Sequence, residues 1–256
     1  KYWFMHTSIC DRLPYKIYRC GECKSAFVSP APTDEHLTKV YEGEMNSIGG
    51  FLKGVDAEEH LKLILQLEED YPNSIIDAKR IASYCKKFSS GFDFLDIGAG
   101  YGFFTNAAQS IGFNCTAIEA SSTSCKIFKL MNGFEPLNQM LNEKFIEENL
   151  NKFDVVLLSQ VLEHIPNLNE YISKLKLLLK PNGVLVVAVP NYKCYDAKYY
   201  SEFWAAYDVP RHLWHFSKKS IHLLFSKQKM VVAKIYPMIF DSFYVSLLSE
   251  KNKRGT

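Results

Sequence analysis

Phe94-Leu95-Asp96-Ile97-Gly98-Ala99-Gly100-Tyr101-Gly102 is the stretch on which the fold turns. A short apolar run ending in glycine reads as a buried strand, and residues 103–111 follow with helical spacing. Three alternating glycines therefore sit on a turn at the C-terminal tip of a strand, just before a helix. In doubly wound sheets that tip is where ligands bind. Glycine suits it because a side chain would hold a ligand away from the backbone. The spacing also separates ligand classes. A dinucleotide fingerprint is G-x-G-x-x-G, which seats a pyrophosphate on a helix N-terminus. Here the glycines fall at 98, 100 and 102, with Asp96 two residues ahead. A carboxylate there repels a pyrophosphate and stabilises an ammonium group. The turn suits a ligand with amino-acid and nucleoside parts better than NAD.

Downstream, the pattern predicts strands over 115–119, 154–159 and 183–189, a weaker one over 134–137, and helices over 122–131 and 168–179. A late helix over 217–227 and strand candidates at 230–236 and 239–245 follow. Strands apolar on both faces, alternating with helices, imply a parallel sheet covered on both sides. Upstream, helices are expected over 56–70 and 75–88, separated by Pro72. Before them lies an aromatic-rich segment with Cys20-Gly21-Glu22-Cys23, closed by Ser29-Pro30-Ala31-Pro32-Thr33. Thr33 or Asp34 is placed to cap a short helix through residue 41, with a Gly-containing loop over 43–54. The organisation read from this is a Cys-containing segment (1–33), a helical lead-in or lid (34–90) and a ligand-binding domain (91–256).

Composition narrows the classes. Of 256 residues, 47% are apolar and 23% charged, which excludes disorder and low-complexity architectures. Thirty basic against 28 acidic residues leave a formal charge of +2, too little to suggest a nucleic-acid binder. The longest aliphatic run, 184–189, is far short of a membrane span, so no membrane partner is expected. The N-terminus lacks a signal-peptide pattern and begins without Met, as a trimmed or truncated chain would. Seven cysteines, mostly within expected helices and strands, suit free thiols in a reducing cytosol, so a cytoplasmic location is expected.

The second strand ends in Glu119, 21 residues after Gly98. An acid at that tip can accept hydrogen bonds from both ribose hydroxyls. Together with 96–102, the segment 153–165 (FDVVLLSQVLEHI) and Leu179-Lys180-Pro181-Asn182-Gly183-Val184-Leu185, this resembles the successive motifs of class I S-adenosylmethionine-dependent methyltransferases. The resemblance covers roughly residues 75–245. It implies a doubly wound, mostly parallel seven-stranded α/β sheet of Rossmann-like type. S-adenosyl-L-methionine would lie across its strand tips, leaving S-adenosyl-L-homocysteine as product.

Carried onto this chain, the resemblance gives the methionine part of the donor to Asp96, Gly98, Ala99, Gly100, Tyr101 and Gly102, and the ribose to Glu119 with Ala120 beside it. Gln139 and Met140 fall where relatives contact the adenine, usually with an acid. Ser159 and Gln160 end the fourth strand, near the site of methyl transfer. Glu163-His164 resembles a helix-turn signature of the family; a structural role is weighed over a catalytic one, and His164 is kept as a catalytic candidate. Tyr207-Asp208-Val209-Pro210-Arg211-His212-Leu213-Trp214-His215-Phe216-Ser217 resembles a segment over the acceptor pocket of sugar and quinone methyltransferases. It makes His212 the candidate general base and His215 a structural residue. Some sugar C-methyltransferases have Glu-His where Arg211-His212 stands, so the acidic partner is missing from that position.

Cys20-x2-Cys23 is half of a zinc knuckle, and with the Ser-Pro-Ala-Pro-Thr run it resembles a zinc-binding segment that precedes some of these domains. Upstream lie only His6 and Cys10, so a structural zinc on Cys20 and Cys23 needs ligands from these or from elsewhere. The expected function is methyl transfer to a small-molecule or carbohydrate acceptor, at oxygen. The aromatic cluster Tyr192, Tyr195, Tyr199, Tyr200, Phe203, Trp204 and Tyr207 suits a ring-bearing acceptor, or else forms core and lid packing. RNA or protein methylation, and a module that binds the donor without catalysis, are the alternatives.

Overall fold

The computed structural model describes residues 2–5, 15–33, 35–37, 56–70 and 73–255. The strands among them are β1 (Tyr2–Met5), β2 (Lys16–Cys20), β3 (Ala26–Ser29), β4 (Asp93–Ile97), β5 (Asn114–Ile118), β6 (Phe153–Ser159), β7 (Leu179–Ala188) and β8 (Trp214–His215). The helices are α1 (Ala57–Asp70), α2 (Asn73–Phe88), α3 (Phe103–Ser110), α4 (Ser122–Asn132), α5 (Glu143–Glu148), α6 (Leu168–Leu178), α7 (Tyr195–Tyr200), α8 (Lys218–Lys227) and α9 (Ile239–Arg254). Two compact units result, Gly54–Val161 with Glu170–Ala188, and Lys1–Lys53 with Leu162–Asn169 and Val189–Thr256.

The first unit is built on a parallel sheet in the order β5-β4-β6-β7. Asp96 of β4 pairs in register with Ala117 of β5 and Leu157 of β6. Leu95, Val155, Val156, Leu157 and Leu158 are fully buried, as central strands with both faces covered must be. Each such side chain contributes roughly 1.5–3 kcal/mol on burial. Helix starts are set locally. Ser121 Oγ accepts from the Ser124 N–H at 3.2 Å to open α4, and Gly133 at φ 75° closes it. At the sheet edge opposite the glycine turn, Lys180 Nζ lies 2.7 Å from both Asp93 and Asp154.

The second unit holds an antiparallel sheet in the order β1-β2-β3-β8. Ile17 and Val28 face each other across β2 and β3, and both are buried. Around them pack Tyr15, Ala26, Tyr192, Tyr200, Trp204, Tyr207 and Val209. The sequence reading did not identify these strands. They are only four or five residues long, too short for an alternating pattern to stand out around Cys20-x2-Cys23.

The α/β, Rossmann-like fold is as expected, whereas the strand count is corrected. Four parallel strands stand in the described sheet, and the weak strand at 134–137 reduces to a single parallel bridge between Ile118 and Leu137. Residues 230–238 form no regular structure; Val231 is 90% exposed, and an apolar run without a neighbouring strand has nothing to pair with. The second candidate is the start of α9. Its anchors repeat at helical, not alternating, positions: Ser249 Oγ accepts from the Ala205 N–H at 2.9 Å, and Ser246 Oγ donates to Asp196 at 2.8 Å. The expected helices over 56–70 and 75–88 are α1 and α2. Most of the expected helix through residue 41, the loop over 43–54, His6, Cys10 and Pro72 lie outside the described residues. Among the described residues, no helix is long and apolar enough to cross a membrane.

Candidate functional site

In the parallel-sheet unit, β4 ends in the glycine turn and β5 ends beside it. Gly98, Gly100 and Gly102 take φ of +70°, +56° and +89°, a region costly for other residues. The Gly98 and Ala99 N–H groups both donate to the Ile118 carbonyl, at 2.9 and 3.1 Å, which ties the turn to β5. A side chain at Gly98 would come within 2.5 Å of Val161, and one at Gly102 within 2.1 Å of Asn132. At Gly100 there is nothing within 4 Å, so the space in front of this glycine is open.

Glu119 is held by that turn. One carboxylate oxygen accepts from the Gly100 N–H at 2.8 Å, the other from the Ser121 N–H at 2.7 Å. Each oxygen keeps a further lone pair, and the residue is only half-buried. Asn138 donates to the Glu119 and Ala120 carbonyls at 3.0 and 2.9 Å, fixing the strand end. Gln139 is half-buried and Met140 is 65% exposed, on the loop after the Leu137 bridge. Ser159 and Gln160 are half-buried at the end of β6, where Gln160 adopts φ 55° and donates its N–H to Ala188.

Asp96 faces inward. It is buried, and the Thr105 hydroxyl of α3 donates to its Oδ2 at 2.7 Å. Burial pushes its pKa up to about 7, and the Glu119 charge adds to the rise while Thr105 opposes it. The carboxyl thus ties β4 to α3 under the turn. Sequence reasoning missed Thr105, and also His60 of α1, whose Nε2 lies 3.3 Å from the Tyr101 hydroxyl with the rings edge to face. Thr105 had a signal, since it is a polar residue on the buried face of the helix after the turn. His60 had none, because α1 is distant in sequence.

An open turn of left-handed glycines beside a backbone-anchored carboxylate with free lone pairs fits an amino-acid nucleoside such as S-adenosyl-L-methionine. Backbone groups and Tyr101 would face the amino-acid part, and Glu119 the ribose.

The other unit carries a second cluster. Glu163 and His164 lie on a 3-10 turn, Leu162–His164, and His212 follows the Asp208–Arg211 ion pair. His212 Nδ1 is 2.9 Å from the Ala206 carbonyl and His164 Nδ1 is 3.0 Å from the Arg211 carbonyl. A carbonyl only accepts, so Nδ1 carries the proton in both rings and each Nε2 presents a lone pair. The rings meet edge to face with centroids 4.7 Å apart. Burial holds His212 below the usual histidine range and His164 down at about 4, so both are neutral at pH 7.

The acidic partner absent from position 211 is supplied from elsewhere. Asp208 Oδ2 lies 3.5 Å and Glu163 Oε1 3.9 Å from His212 Nε2. Both Glu163 oxygens are buried without a hydrogen-bond partner, and burial pushes this carboxyl up to about 8. Glu163, His164 and His212 bring one oxygen and two nitrogens within 4.8 Å of one another, a donor set suited to a divalent cation. His215 is fully buried against Tyr207, its Nε2 without a partner and its pKa down at about 3, consistent with a structural place.

Cys20 ends β2 and Cys23 lies on the turn that follows, both as free thiols. Backbone hydrogen bonds from Cys23 and Glu22 hold the Cys20 thiol below its ordinary pKa, as suits a metal-binding thiolate. Among the described residues no third His, Cys or acid groups with the pair.

Comparison with known proteins places these features in a family. A family model described as "Methyltransferase domain" matches residues 67–230, well over half of the chain. The ubiquinone biosynthesis O-methyltransferase of Caulobacter vibrioides is 34% identical over 108 residues, covering 40% of this chain and 42% of that protein. The mitochondrial ubiquinone biosynthesis O-methyltransferase of Arabidopsis thaliana is 30% identical over 125 residues, covering 43% and 38%. The chain thus spans under half the length of these curated relatives. Among solved structures, 1,6-didemethyltoxoflavin-N1-methyltransferase of Burkholderia thailandensis aligns over 88% of this chain and 90% of its own, at 14% identity and a TM-score of 0.54.

Proposed function

The chain belongs to the methyltransferase-domain family, and on that premise we propose that it transfers a methyl group from S-adenosyl-L-methionine to an oxygen of a small molecule, leaving S-adenosyl-L-homocysteine. The observation that carries the reading is the Glu119 carboxylate, pinned by the Gly100 and Ser121 N–H groups beside the open space at Gly100. The names of the curated relatives, O-methyltransferases of ubiquinone biosynthesis, support oxygen as the acceptor atom.

When bound, the donor supplies a methyl group already activated on a cationic sulfur. Glu119 accepts from the ribose hydroxyls with the lone pairs that its backbone anchors leave free. The glycine turn admits the amino-acid part close to the backbone, while Asp96, held by Thr105, keeps that turn in shape. Ser159 and Gln160 line the same strand tips, and Gln139 and Met140 take the adenine side. His212 accepts the proton of the acceptor hydroxyl at Nε2, which the Ala206 carbonyl keeps unprotonated by engaging Nδ1.

A carbohydrate acceptor is the second reading, favoured by Tyr195 and Tyr199, which stack at 6.0 Å and stand 76% and 55% exposed. The rest of the aromatic cluster divides differently, since Tyr192, Tyr200, Trp204 and Tyr207 are core. The test has two parts. Calorimetry should show S-adenosyl-L-homocysteine binding to the wild type and markedly weaker binding to Glu119→Ala. Labelled-methyl transfer should then proceed to a phenolic or sugar hydroxyl; binding without transfer to either class leaves a module that only holds the donor.

A further inference from the structure

In the unit with the antiparallel sheet, an open cavity of about 580 Å³ is lined by Arg19, Lys24, Lys193, Lys218 and Lys219, with Ser217 beside them and no carboxylate. Five cations converge there in a chain whose net charge is only +2. Arg19 comes from β2, Lys24 from the turn after it, Lys193 from just before α7, and Lys218 and Lys219 from the first turn of α8. The grouping is a product of the fold.

It is an unfavourable arrangement for the free protein. Like charges repel, and lysines in the first turn oppose the positive end of the helix dipole. Helix α8 has no acidic residue in that turn to compensate. Lys24 Nζ turns back to the Gly21 carbonyl, and Lys193 Nζ sits 5.0 Å from the Tyr192 ring centre. Lys218 and Lys219 are exposed, and neither they nor Lys24 or Lys193 pair with a described carboxylate.

We propose that this cavity binds a small molecule bearing a phosphate or diphosphate ester. A multivalent anion offsets the repulsion among the four lysines, and charge-assisted hydrogen bonds from their ammonium groups hold it. The N-terminus of α8 adds its dipole in the same direction. The volume lies within the roughly 300–1,000 Å³ of small-molecule sites, which leaves space for the esterified group beyond the phosphates. A polynucleotide fits less well, because the near-neutral chain provides no extended positive field. None of the donor-turn residues lines the cavity, so the proposal stands or falls apart from methyl transfer.

Inorganic pyrophosphate is the probe, titrated calorimetrically into the full chain at two salt concentrations, with acetate and an RNA oligonucleotide as comparisons. Pyrophosphate should bind at least about tenfold more tightly than acetate. The double variant Lys218→Ala/Lys219→Ala should weaken it by about tenfold, a difference well outside measurement error. That variant should also melt no lower than the wild type, since it relieves repulsion, and should lose the pyrophosphate-induced rise in Tm. If it melts lower, Lys193→Ala decides by the same loss of binding. Absence of pyrophosphate binding, unchanged binding in the variants, or tighter binding of the RNA overturns the proposal.

Discussion

The Thr105 hydroxyl donates to Asp96 Oδ2 at 2.7 Å, joining the C-terminal end of β4 to the helix that follows the glycines. Asp96 is 1% exposed. Its carboxyl therefore supports the turn from beneath, and its proton is part of the fold's energetics.

Burial raises Asp96 from 3.8 to about 7. Between those values the folded protein keeps a proton that the unfolded chain releases, so this group's contribution to stability falls as pH rises through the window. Asp96→Asn retains an acceptor for Thr105 and removes the titration. Urea denaturation at pH 5 and pH 8 should show the variant gaining on the wild type at the higher pH, by up to a few kcal/mol at ~1.4 kcal/mol per pKa unit. Parallel pH dependences would contradict the burial argument.

Glu119 is expected to act on both donor affinity and the stability of the turn. Glu119→Ala removes a charged acceptor, also from the Gly100 and Ser121 N–H groups, and a hydrogen bond to a charged group contributes about 1.5–3 kcal/mol. Calorimetry with S-adenosyl-L-homocysteine should therefore show a loss of roughly 10- to 100-fold, with a lowered Tm because the turn loses its anchor. Unchanged affinity would remove Glu119 from the ribose role.

Gly102 and Gly100 should separate into stability and binding effects. A Cβ at Gly102 meets Asn132 Nδ2 at 2.1 Å and the Phe128 ring at 2.6 Å, whereas one at Gly100 meets nothing within 4 Å. Gly102→Ala should cost upwards of ~2 kcal/mol from crowding and left-handed backbone together. Gly100→Ala should cost only about the backbone part, ~1 kcal/mol, yet weaken donor binding by filling the open space. Equal melting temperatures for the two variants would refute the distinction.

His212→Ala should lower turnover by about 10²–10⁴-fold, the usual contribution of a positioned base, while sparing donor affinity. Because burial holds His212 below 6.5, the acid limb of the wild-type turnover profile should lie below pH 6.5. Asp208→Asn tests the neighbouring charge, since Asp208 raises His212 against the effect of burial. If Asp208 sets the basicity of Nε2, that limb moves to lower pH in the variant with KM for the donor unchanged; an unmoved limb assigns Asp208 to its ion pair with Arg211 alone.

Much of the site was legible because it is local. Asp96, the glycines and Glu119 are fixed by strand ends and turn conformation, and both leave period and spacing in the sequence. His60 was not legible, since its place depends on which helix packs beside the turn, and the polar residue Thr105 on a buried helix face did not by itself name Asp96 as its partner. Around His212 the two acids differ: Asp208 stands four residues ahead in the same segment, whereas Glu163 is brought in from the 3-10 turn after β6. The strands expected at 230–236 and 239–245 failed for a related reason. A β-branched run states a preference, but a strand also requires a neighbour to accept its hydrogen bonds.

By itself, then, the amino-acid order settled the alternation of strands and helices and the character of the glycine turn, because both follow from short-range sterics and apolar periodicity. Only the tertiary structure decided the number of paired strands, the inward-facing proton of Asp96, the histidine–acid cluster and the five-cation cavity. Each of these depends on burial and on distances between residues far apart in the chain, and those quantities come into being when the chain packs.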